Sequence, residues 1–336
     1  YDNSLFSGLL FETSVKNLLT QRSVINLNSL IGQYYRFGIN YLQFIDRNQK
    51  FGLSTNFYTD NVLLPMLELR GENGDVVSRN FTSGLSVNRR LGLNQLMNLS
   101  ANVDIRNLIP NYVSDGNLKN ISYNYISANY DYQVNTINSK HFPDNGTILN
   151  ISVSTSKLLS GSIRTDISKL VYKEINHGGF SFDRFYTFYG NIKQYFSSGD
   201  KLTFAIGGNA LLISEVDSVS ARNNFYLLGG AESINKRSIP MIGFHPNEIP
   251  VKKLAGISTE LDMELVKYLH INIMANIFAA REVNRDKGYS ILTGYGVGAG
   301  YLSIFGPVKI GLMYGNYNHE RYFRKIKGYI SIGYNF

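Results

Sequence analysis

Residues 328–336 read Gly-Tyr-Ile-Ser-Ile-Gly-Tyr-Asn-Phe and close the sequence on an aromatic side chain. The apolar face of a strand formed by this stretch would carry Ile330, Ile332, Tyr334 and Phe336. Strict alternation of this kind is the pattern of a β-strand that has one covered face. Two interpretations fit it. One is an ordinary half-buried edge strand, and the other is the last strand of a transmembrane β-barrel, which must pair with the first strand so that no edge meets lipid.

The rest of the chain repeats this alternation, most clearly over residues 255–265. The lipid-facing positions there would be Ala255, Ile257, Thr259, Leu261, Met263 and Leu265. The inward positions between them include three carboxylates, Glu260, Asp262 and Glu264. Charged groups on the inner face of a membrane wall require a wet interior or basic partners. We therefore expect a polar lumen behind this strand.

The composition is typical of membrane strands and excludes several other classes of protein. The 336 residues include 24 Tyr and 20 Phe, and 43% are hydrophobic. No apolar run approaches the roughly 18 residues of a transmembrane helix, and the absence of cysteine excludes disulfides and thiolate metal sites. The formal net charge of +8 comes from scattered Lys and Arg residues without a basic stripe between stacking aromatics. We therefore expect membrane lipids or lipopolysaccharide as partners, and no nucleic acid.

The spacing of strands and turns predicts the architecture. Strands of about ten residues continue along the whole chain, which indicates one all-β domain, residues 1–336, in the form of a transmembrane antiparallel β-barrel. At roughly 21 residues per strand with its connection, the length fits about 16 strands. Residues 71–75 contain two glycines and predict a hairpin turn. The long connections are expected near residues 109–119, 160–180 and 214–252.

The longest irregular segment contains two motifs that resemble the Omp85 superfamily of outer-membrane barrels. The first is Phe-Tyr-Leu-Leu-Gly-Gly at residues 225–230, and the second is Ile-Pro-Met-Ile-Gly-Phe at residues 239–244. The resemblance implies that this segment is loop 6, the loop after strand 11, and that it folds back into the lumen. It also implies an Arg-Gly-Phe or Arg-Gly-Tyr motif in that loop.

The motif in this chain departs from the family pattern at one position. Gly243 and Phe244 match it, whereas Ile242 stands where the family has arginine. No guanidinium is therefore present at this position to pair with an inward carboxylate such as Glu260 or Asp262. The candidate substitutes are Lys236 and Arg237.

A narrower resemblance, to the C-terminal barrels of patatin-like phospholipases of Bacteroidetes, covers essentially the whole chain. It is carried by Tyr-Asp-Asn at residues 1–3, the two loop motifs, His-Phe-Pro at residues 141–143, and the pair Gly306 and Pro307. The resemblance implies that a patatin hydrolase domain and a POTRA-type module precede the barrel, with most of the first strand upstream of residue 1. The aromatic end of the chain resembles the signal that the barrel-assembly machinery reads, so we expect residues 330–336 to form the barrel seam.

The chain offers no convincing catalytic residue of its own. Patatins use a serine in Gly-x-Ser-x-Gly, and the nearest match, around Ser86, lacks the second glycine and falls within a strand. The five histidines are scattered without metal-ligand spacing. The acidic pair Glu260 and Asp262 fits luminal polar contacts. We expect no catalytic residue, metal or cofactor in these 336 residues.

A row of glycines marks one strand near the end of the chain. Its members share one face and are Gly294, Gly296, Gly298 and Gly300. A glycine row lets another backbone approach closely. Either it makes room for the inward-folded loop at residues 225–250, or it only permits a curved and strongly twisted strand.

Together these features predict an integral protein of the bacterial outer membrane. The interpretation that fits most of them is the membrane-spanning part of a patatin-like phospholipase, which anchors or delivers an upstream lipid acyl hydrolase. The alternatives are an assembly or translocation barrel of the same superfamily, a porin-like or structural subunit of an outer-membrane complex, and a soluble β-rich binding protein. The barrel-assembly machinery during biogenesis and other outer-membrane proteins are the further expected partners.

Overall fold

The alternating stretches form β-strands throughout the part of the chain that the structure describes. This structure is a computed structural model. It describes residues 8–32, 35–69, 72–111, 118–165, 184–199, 201–214, 224–233, 237–283, 288–303, 306–317 and 326–332. Within these ranges there are seventeen strands. None of the described residues belongs to a helix that is long and apolar enough to cross a membrane.

The strands follow one another along the chain with mostly short connections. They are β1 (Gly8–Lys16), β2 (Ser23–Gly32), β3 (Tyr35–Phe44), β4 (Phe51–Leu69), β5 (Glu72–Arg90), β6 (Gln95–Pro110), β7 (Leu118–Asn135), β8 (Gly146–Thr165), β9 (Arg184–Ser198), β10 (Leu202–Ile213), β11 (Tyr226–Leu228), β12 (Ser238–Ile239), β13 (Ile249–Val266), β14 (Leu269–Glu282), β15 (Ser290–Ser303), β16 (Gly306–Tyr317) and β17 (Ile326–Ile332).

The sheet is an antiparallel meander with one interruption. Each strand from β1 to β10 pairs with the next, β10 then pairs with β13, and the pairing continues to β17. The short strands β11 and β12 lie in the connection between β10 and β13, where β11 pairs parallel with β12 and antiparallel with β13. In the described residues, the wall therefore consists of fifteen long strands, β1–β10 and β13–β17.

The two ends of the wall differ in the connections that they carry. At the end that we call the turn end, β3 joins β4, β5 joins β6, and β13 joins β14 through short turns. The opposite end, the loop end, carries the two longest connections, residues 166–183 and 214–248. Their positions agree with the long connections expected near 160–180 and 214–252.

The two faces of the wall differ as the alternation predicts. On β13, Ile257 and Leu261 are exposed, with 53% and 39% of their surface accessible, whereas Glu260 and Asp262 on the opposite face are partly buried. The inward side chains pack into two apolar clusters. One joins β4–β9 to Phe225 and Leu227, and the other joins β10 and β13–β16 to Leu228, Ile239 and Phe244. The segment between β10 and β13 therefore contacts wall strands on both sides of the interior.

The first and last wall strands are the edges of the described sheet. Because successive strands alternate in direction, β1 and β17 both run from the loop end to the turn end, and no pairing between them occurs among the described residues. Ile330 and Ile332 lie in β17 opposite Ile310 and Val308 of β16. Tyr334 and Phe336, the other two expected seam residues, lie outside the described residues, as do residues 1–3. A first strand upstream of residue 1 stays a prediction.

The hairpin predicted at residues 71–75 is wrong in its position. Leu69 pairs with Glu72 and Leu67 with Gly74, so Gly74 lies inside β5. The pairing shifts register between Leu64 and Leu67. β5 begins within the predicted turn because each further pair with β4 satisfies backbone N–H and C=O groups that would otherwise need water.

Candidate functional site

The segment between β10 and β13 enters the interior instead of projecting from the wall. We call residues 224–248 the luminal loop, of which the structure describes 224–233 and 237–248. Leu228, Ile239 and Phe244 in this loop have no accessible surface. This burial agrees with the inward-folded loop that the resemblance to the Omp85 superfamily implies.

The two sequence motifs of the loop lie against each other. The backbone N–H of Gly230 donates to the carbonyl of Phe244 at 3.0 Å, and the N–H of Met241 donates to Gly230 at 2.9 Å. Gly229 has a φ of 131°, and a Cβ there would overlap the carbonyl oxygen of His245. Glycine is therefore required at Gly229 both by the backbone conformation and by the close approach of the second motif.

The tip of the second motif sits in a notch made by two paired glycines of the wall. Gly294 of β15 and Gly315 of β16 are cross-strand partners. A Cβ on Gly294 would overlap the carbonyl oxygen of Ile242, and a Cβ on Gly315 would overlap that of Gly243. Gly243 has a φ of 95°, and a Cβ on it would lie 2.6 Å from the Cα of Gly315. Backbone therefore packs directly on backbone at this contact.

The four glycines of β15 have different neighbours. Gly294 and Gly296 border the luminal loop, since the Cγ2 of Ile242 lies 2.9 Å from a Cβ built on Gly296. A Cβ on Gly298 would instead lie 2.9 Å from the hydroxyl of Tyr329, and one on Gly300 would lie 2.8 Å from the ring of Phe142. The row thus accommodates three different groups along its length, and only its first half borders the loop.

Ion pairs connect the luminal loop to the last two wall strands. Lys327 Nζ of β17 lies 2.8 Å from Glu248 Oε2, and these side chains are 7% and 15% exposed. The same ammonium group lies 5.4 Å from the ring centroid of Phe244. A second pair joins Lys309 of β16 to Glu232 at 3.4 Å, with side chains that are 33% and 49% exposed. His245 follows Phe244 in this loop. Burial lowers the pKa of His245, the charge of Lys327 lowers this pKa further, and the charge of Glu248 raises it.

The three inward carboxylates of β13 have partners on β9, on β14 and in the turn that follows β13. Glu260 accepts a hydrogen bond from Lys193 of β9 at 2.6 Å, and Asp262 lies 2.7 Å from Nδ1 of His270 of β14. Glu264 accepts from the backbone N–H of Tyr268 at 3.0 Å.

The two suggested replacements for the family arginine are Lys236 and Arg237. Arg237 donates to the side-chain oxygen of Asn224 at 2.9 Å, and Lys236 lies outside the described residues. The wall itself supplies Lys193 to Glu260 and His270 to Asp262, so a role for Lys236 or Arg237 at these carboxylates stays a prediction.

A turn at the opposite end also reaches into the interior. Residues 136–145 join β7 to β8, and the side chain of Asn138 accepts from the backbone N–H groups of Asp144 and Asn145 at 3.2 Å. Phe142 stacks on His270 with a centroid distance of 4.0 Å and an interplanar angle of 3°. Because His270 lies on β14, this turn covers the lumen near the turn end.

A polar cavity of about 620 Å³ remains beside the luminal loop. It is lined mainly by amide and hydroxyl side chains of β2–β9, which bond to one another across strands. Ser86 of this lining shares a hydrogen bond of 2.6 Å with Ser54, which lies outside the lining and accepts from Asn88 at 2.8 Å. The hydroxyl of Ser86 is thus engaged by another serine. Among the described residues, no three His, Asp or Glu side chains gather closely enough to hold a metal ion.

Comparison with known proteins identifies the class to which this wall and loop belong. A protein-family model described as the OMP85 superfamily matches residues 1–336, and the chain therefore belongs to that superfamily. A search of curated protein sequences found no significant match.

Solved structures of bacterial membrane proteins share the fold. BamA from Haemophilus ducreyi lacking POTRA domains 1–3 matches with a TM-score of 0.67 at 12% identity, over 96% of this chain and 68% of that one. CdiB from Acinetobacter baumannii matches with a TM-score of 0.57 at 12% identity, over 97% and 56% of the two chains. CdiB from Escherichia coli gives a TM-score of 0.58 at 12% identity, over 97% and 59%. The chain spans less than two thirds of either CdiB, and the likeness shows the all-β barrel fold.

Sequence reasoning missed three residues of this site, Glu248, Gly315 and Lys327. A signal for Lys327 was present, because it shares the face of Tyr329 and Ser331, the inward face of the closing strand. A lone lysine on the inner face of a membrane strand requires an acidic partner. The sequence does not show which carboxylate that partner is.

Proposed function

We propose that this chain is the integral outer-membrane barrel of a patatin-like phospholipase, in which it anchors or delivers a lipid acyl hydrolase located upstream. The resemblance in residues 225–230 and 239–244 supports this proposal. We also propose that residues 1–336 form one barrel domain.

The observation that carries the barrel role is the seating of the luminal loop. Gly243 packs on Gly315, and Phe244 is fully buried between the loop and the wall. A lumen occupied in this way does not offer a wide aqueous path from end to end. The chain therefore fits an anchor or a regulated barrel better than a passive porin.

The outer face of the wall supports contact with membrane lipid. Apolar side chains such as Ile257 and Ile330 are exposed there, at 53% and 74%. Near the turn end, Arg89 lies 5.3 Å from the ring centroid of Phe51, and Lys267 lies 5.1 Å from that of Tyr268. Cationic groups over aromatic rings at this height suit anionic headgroups at the membrane surface.

A second candidate is an assembly or translocation barrel. It is favoured by the likeness to BamA and CdiB over almost the whole chain. In that case the partners would be other proteins of the outer membrane, in assembly or secretion, and no hydrolase would precede the barrel. The barrel-assembly machinery would insert the chain under either candidate.

The decisive experiment uses the full-length protein that contains this barrel. Purified protein in proteoliposomes is assayed for release of fatty acid from phospholipid vesicles, and single-channel conductance is recorded in parallel. Release of fatty acid together with low conductance supports the phospholipase. The assembly barrel is supported if no fatty acid is released, the conductance is low and only POTRA-type modules lie upstream. A large, steady conductance would contradict both candidates and favour a porin.

A further inference from the structure

The luminal loop is attached to the last wall strand through one buried ion pair. Lys327 of β17 and Glu248 of the loop are 2.8 Å apart, and both side chains are largely removed from water. A buried charge that loses its partner is strongly unfavourable, so each of these groups requires the other. The second pair, Lys309 and Glu232, is much more exposed and depends far less on its geometry.

The loop side of this contact is held in place by its own turn. Glu248 Oε2 accepts the backbone N–H of His245 at 2.5 Å, and the N–H of Glu248 donates to the carbonyl of His245 at 3.3 Å. Phe244, directly before His245, is fully buried beneath the ammonium group of Lys327. The carboxylate is therefore oriented before it meets the lysine.

The wall side of this contact is one of the two edge strands of the described sheet. Over the described residues, β17 pairs with β16 alone, from Val308–Ile332 to Tyr314–Ile326. Residues 242–248 of the loop contact Gly294 of β15, Gly315 of β16 and Lys327 of β17. One short stretch of loop thus contacts three consecutive strands at the closing edge of the wall.

We propose that Lys327 and Glu248 form a latch that holds the luminal loop in its seat and couples the loop to β17. In a pair between a loop arginine and a wall carboxylate, the loop carries the positive charge. In this pair the charges are reversed, because the loop supplies the acid Glu248 and the wall supplies the base Lys327. Lys327 is a positioning residue for the Ile242–Phe244 tip. Displacement of β17 breaks the latch, and release of the loop leaves Lys327 as an unpaired buried charge that favours displacement of β17.

The latch does not depend on which of the two candidate functions the protein has. It depends on contacts within this chain, and its consequences are measured on the folded barrel in the membrane. A failed phospholipase assay would therefore leave it unaffected, and failure of the latch would leave the hydrolase question open.

The test measures how often the loop leaves its seat. The full-length protein in proteoliposomes is treated with trypsin, and cleavage after Arg237 is followed by mass spectrometry. The variants are E248Q, K327M and the exchange E248K/K327E. The control is E232Q, which removes the exposed acid of the second pair. Retention of the folded barrel is verified by its heat-dependent shift in gel electrophoresis.

The latch predicts that E248Q and K327M each increase the cleavage rate by at least about tenfold. E232Q should stay within about twofold of the parent. The exchange variant should cleave more slowly than either single variant, because the opposite charges meet again. E248Q keeps the shape and hydrogen-bonding oxygen of glutamate, so it reports on the charge even if K327M does not fold. Equal cleavage of E248Q and E232Q, or an exchange variant that cleaves as fast as the singles, would overturn the latch.

Discussion

Replacement of Gly294 by valine tests whether the loop is seated by backbone contact. A Cβ at this position would overlap the carbonyl oxygen of Ile242 and would lie 2.7 Å from Oδ1 of Asn276. Because strand pairing holds β15 on both sides, the loop is the part that must move. We therefore expect Gly294→Val to displace the loop and leave the wall paired.

The size of the effect follows from the overlap between the new side chain and the loop. Overpacking at a tight contact costs about 3 kcal/mol at the upper end of its usual range. The strand preference of valine stabilises the wall equally whether the loop is seated or unseated, so it does not change the ratio of these two states. A cost of about 3 kcal/mol corresponds to a roughly 150-fold larger population of unseated loop. Leu228, Ile239 and Phe244 each contribute about 1.5–3 kcal/mol by burial, so the loop should remain seated most of the time.

The assay is again trypsin cleavage after Arg237, which tracks the unseated population when opening is fast relative to cleavage. The matched control is Gly190→Val, also within a long strand, where the nearest atom to a new Cβ is the ring of Phe188 at 3.4 Å. This control has the same gain in strand preference without the overlap. If Gly294→Val were cleaved no faster than Gly190→Val, contact between Ile242 and Gly294 would not determine the seating of the loop.

Two further predictions concern the turn end and the pH dependence of the loop. Phe142→Ala removes the ring stacked on His270, so single-channel conductance should rise several-fold. The control Leu93→Ala, at an exposed position, should leave the conductance unchanged. Equal conductance of the two variants would show that the turn does not obstruct the lumen. Burial lowers the pKa of His245 below its ordinary 6.5, so this group favours the seated loop fully above pH 6.5 and progressively less as the pH falls toward the lowered value. Amide hydrogen exchange of residues 237–248, corrected for its intrinsic pH dependence, should accelerate in that window and lose the acceleration in His245→Asn. The same acceleration in the variant would assign it to another group.

Several features of the fold were predictable because they depend on local pattern. Alternation over residues 255–265 identified which side chains face outward and which face inward on β13, since period two is a property of the extended chain itself. The burial of the loop at residues 225–250 followed from the resemblance carried by its motifs. The position of the hairpin near Gly74 was not predicted correctly, because strand length depends on how far two strands continue to pair.

The residues of the site were predictable only in part. The row from Gly294 to Gly300 was visible in the sequence, but its partner Gly315 was not, because their alignment depends on the register between β15 and β16. Likewise, Ile242 was recognised as a departure from the family arginine, yet its side chain rests over Gly296 and contributes packing in place of charge. Register and loop path decide such contacts, and neither follows from spacing along the chain.

Alternation, composition and motifs were enough to identify the class of the protein: amphipathic strands, a polar inner face and a long loop with glycines that permit a tight approach. Tertiary structure alone decided the partner of each inward charge. Lys193 and Glu260 are separated by 67 residues, and Glu248 and Lys327 by 79. Burial requires that such charges be paired, but the choice of partner depends on which strands and loops meet in space. Thus Lys327 at the closing edge could be recognised as needing an acid, and only the path of the loop identified that acid as Glu248.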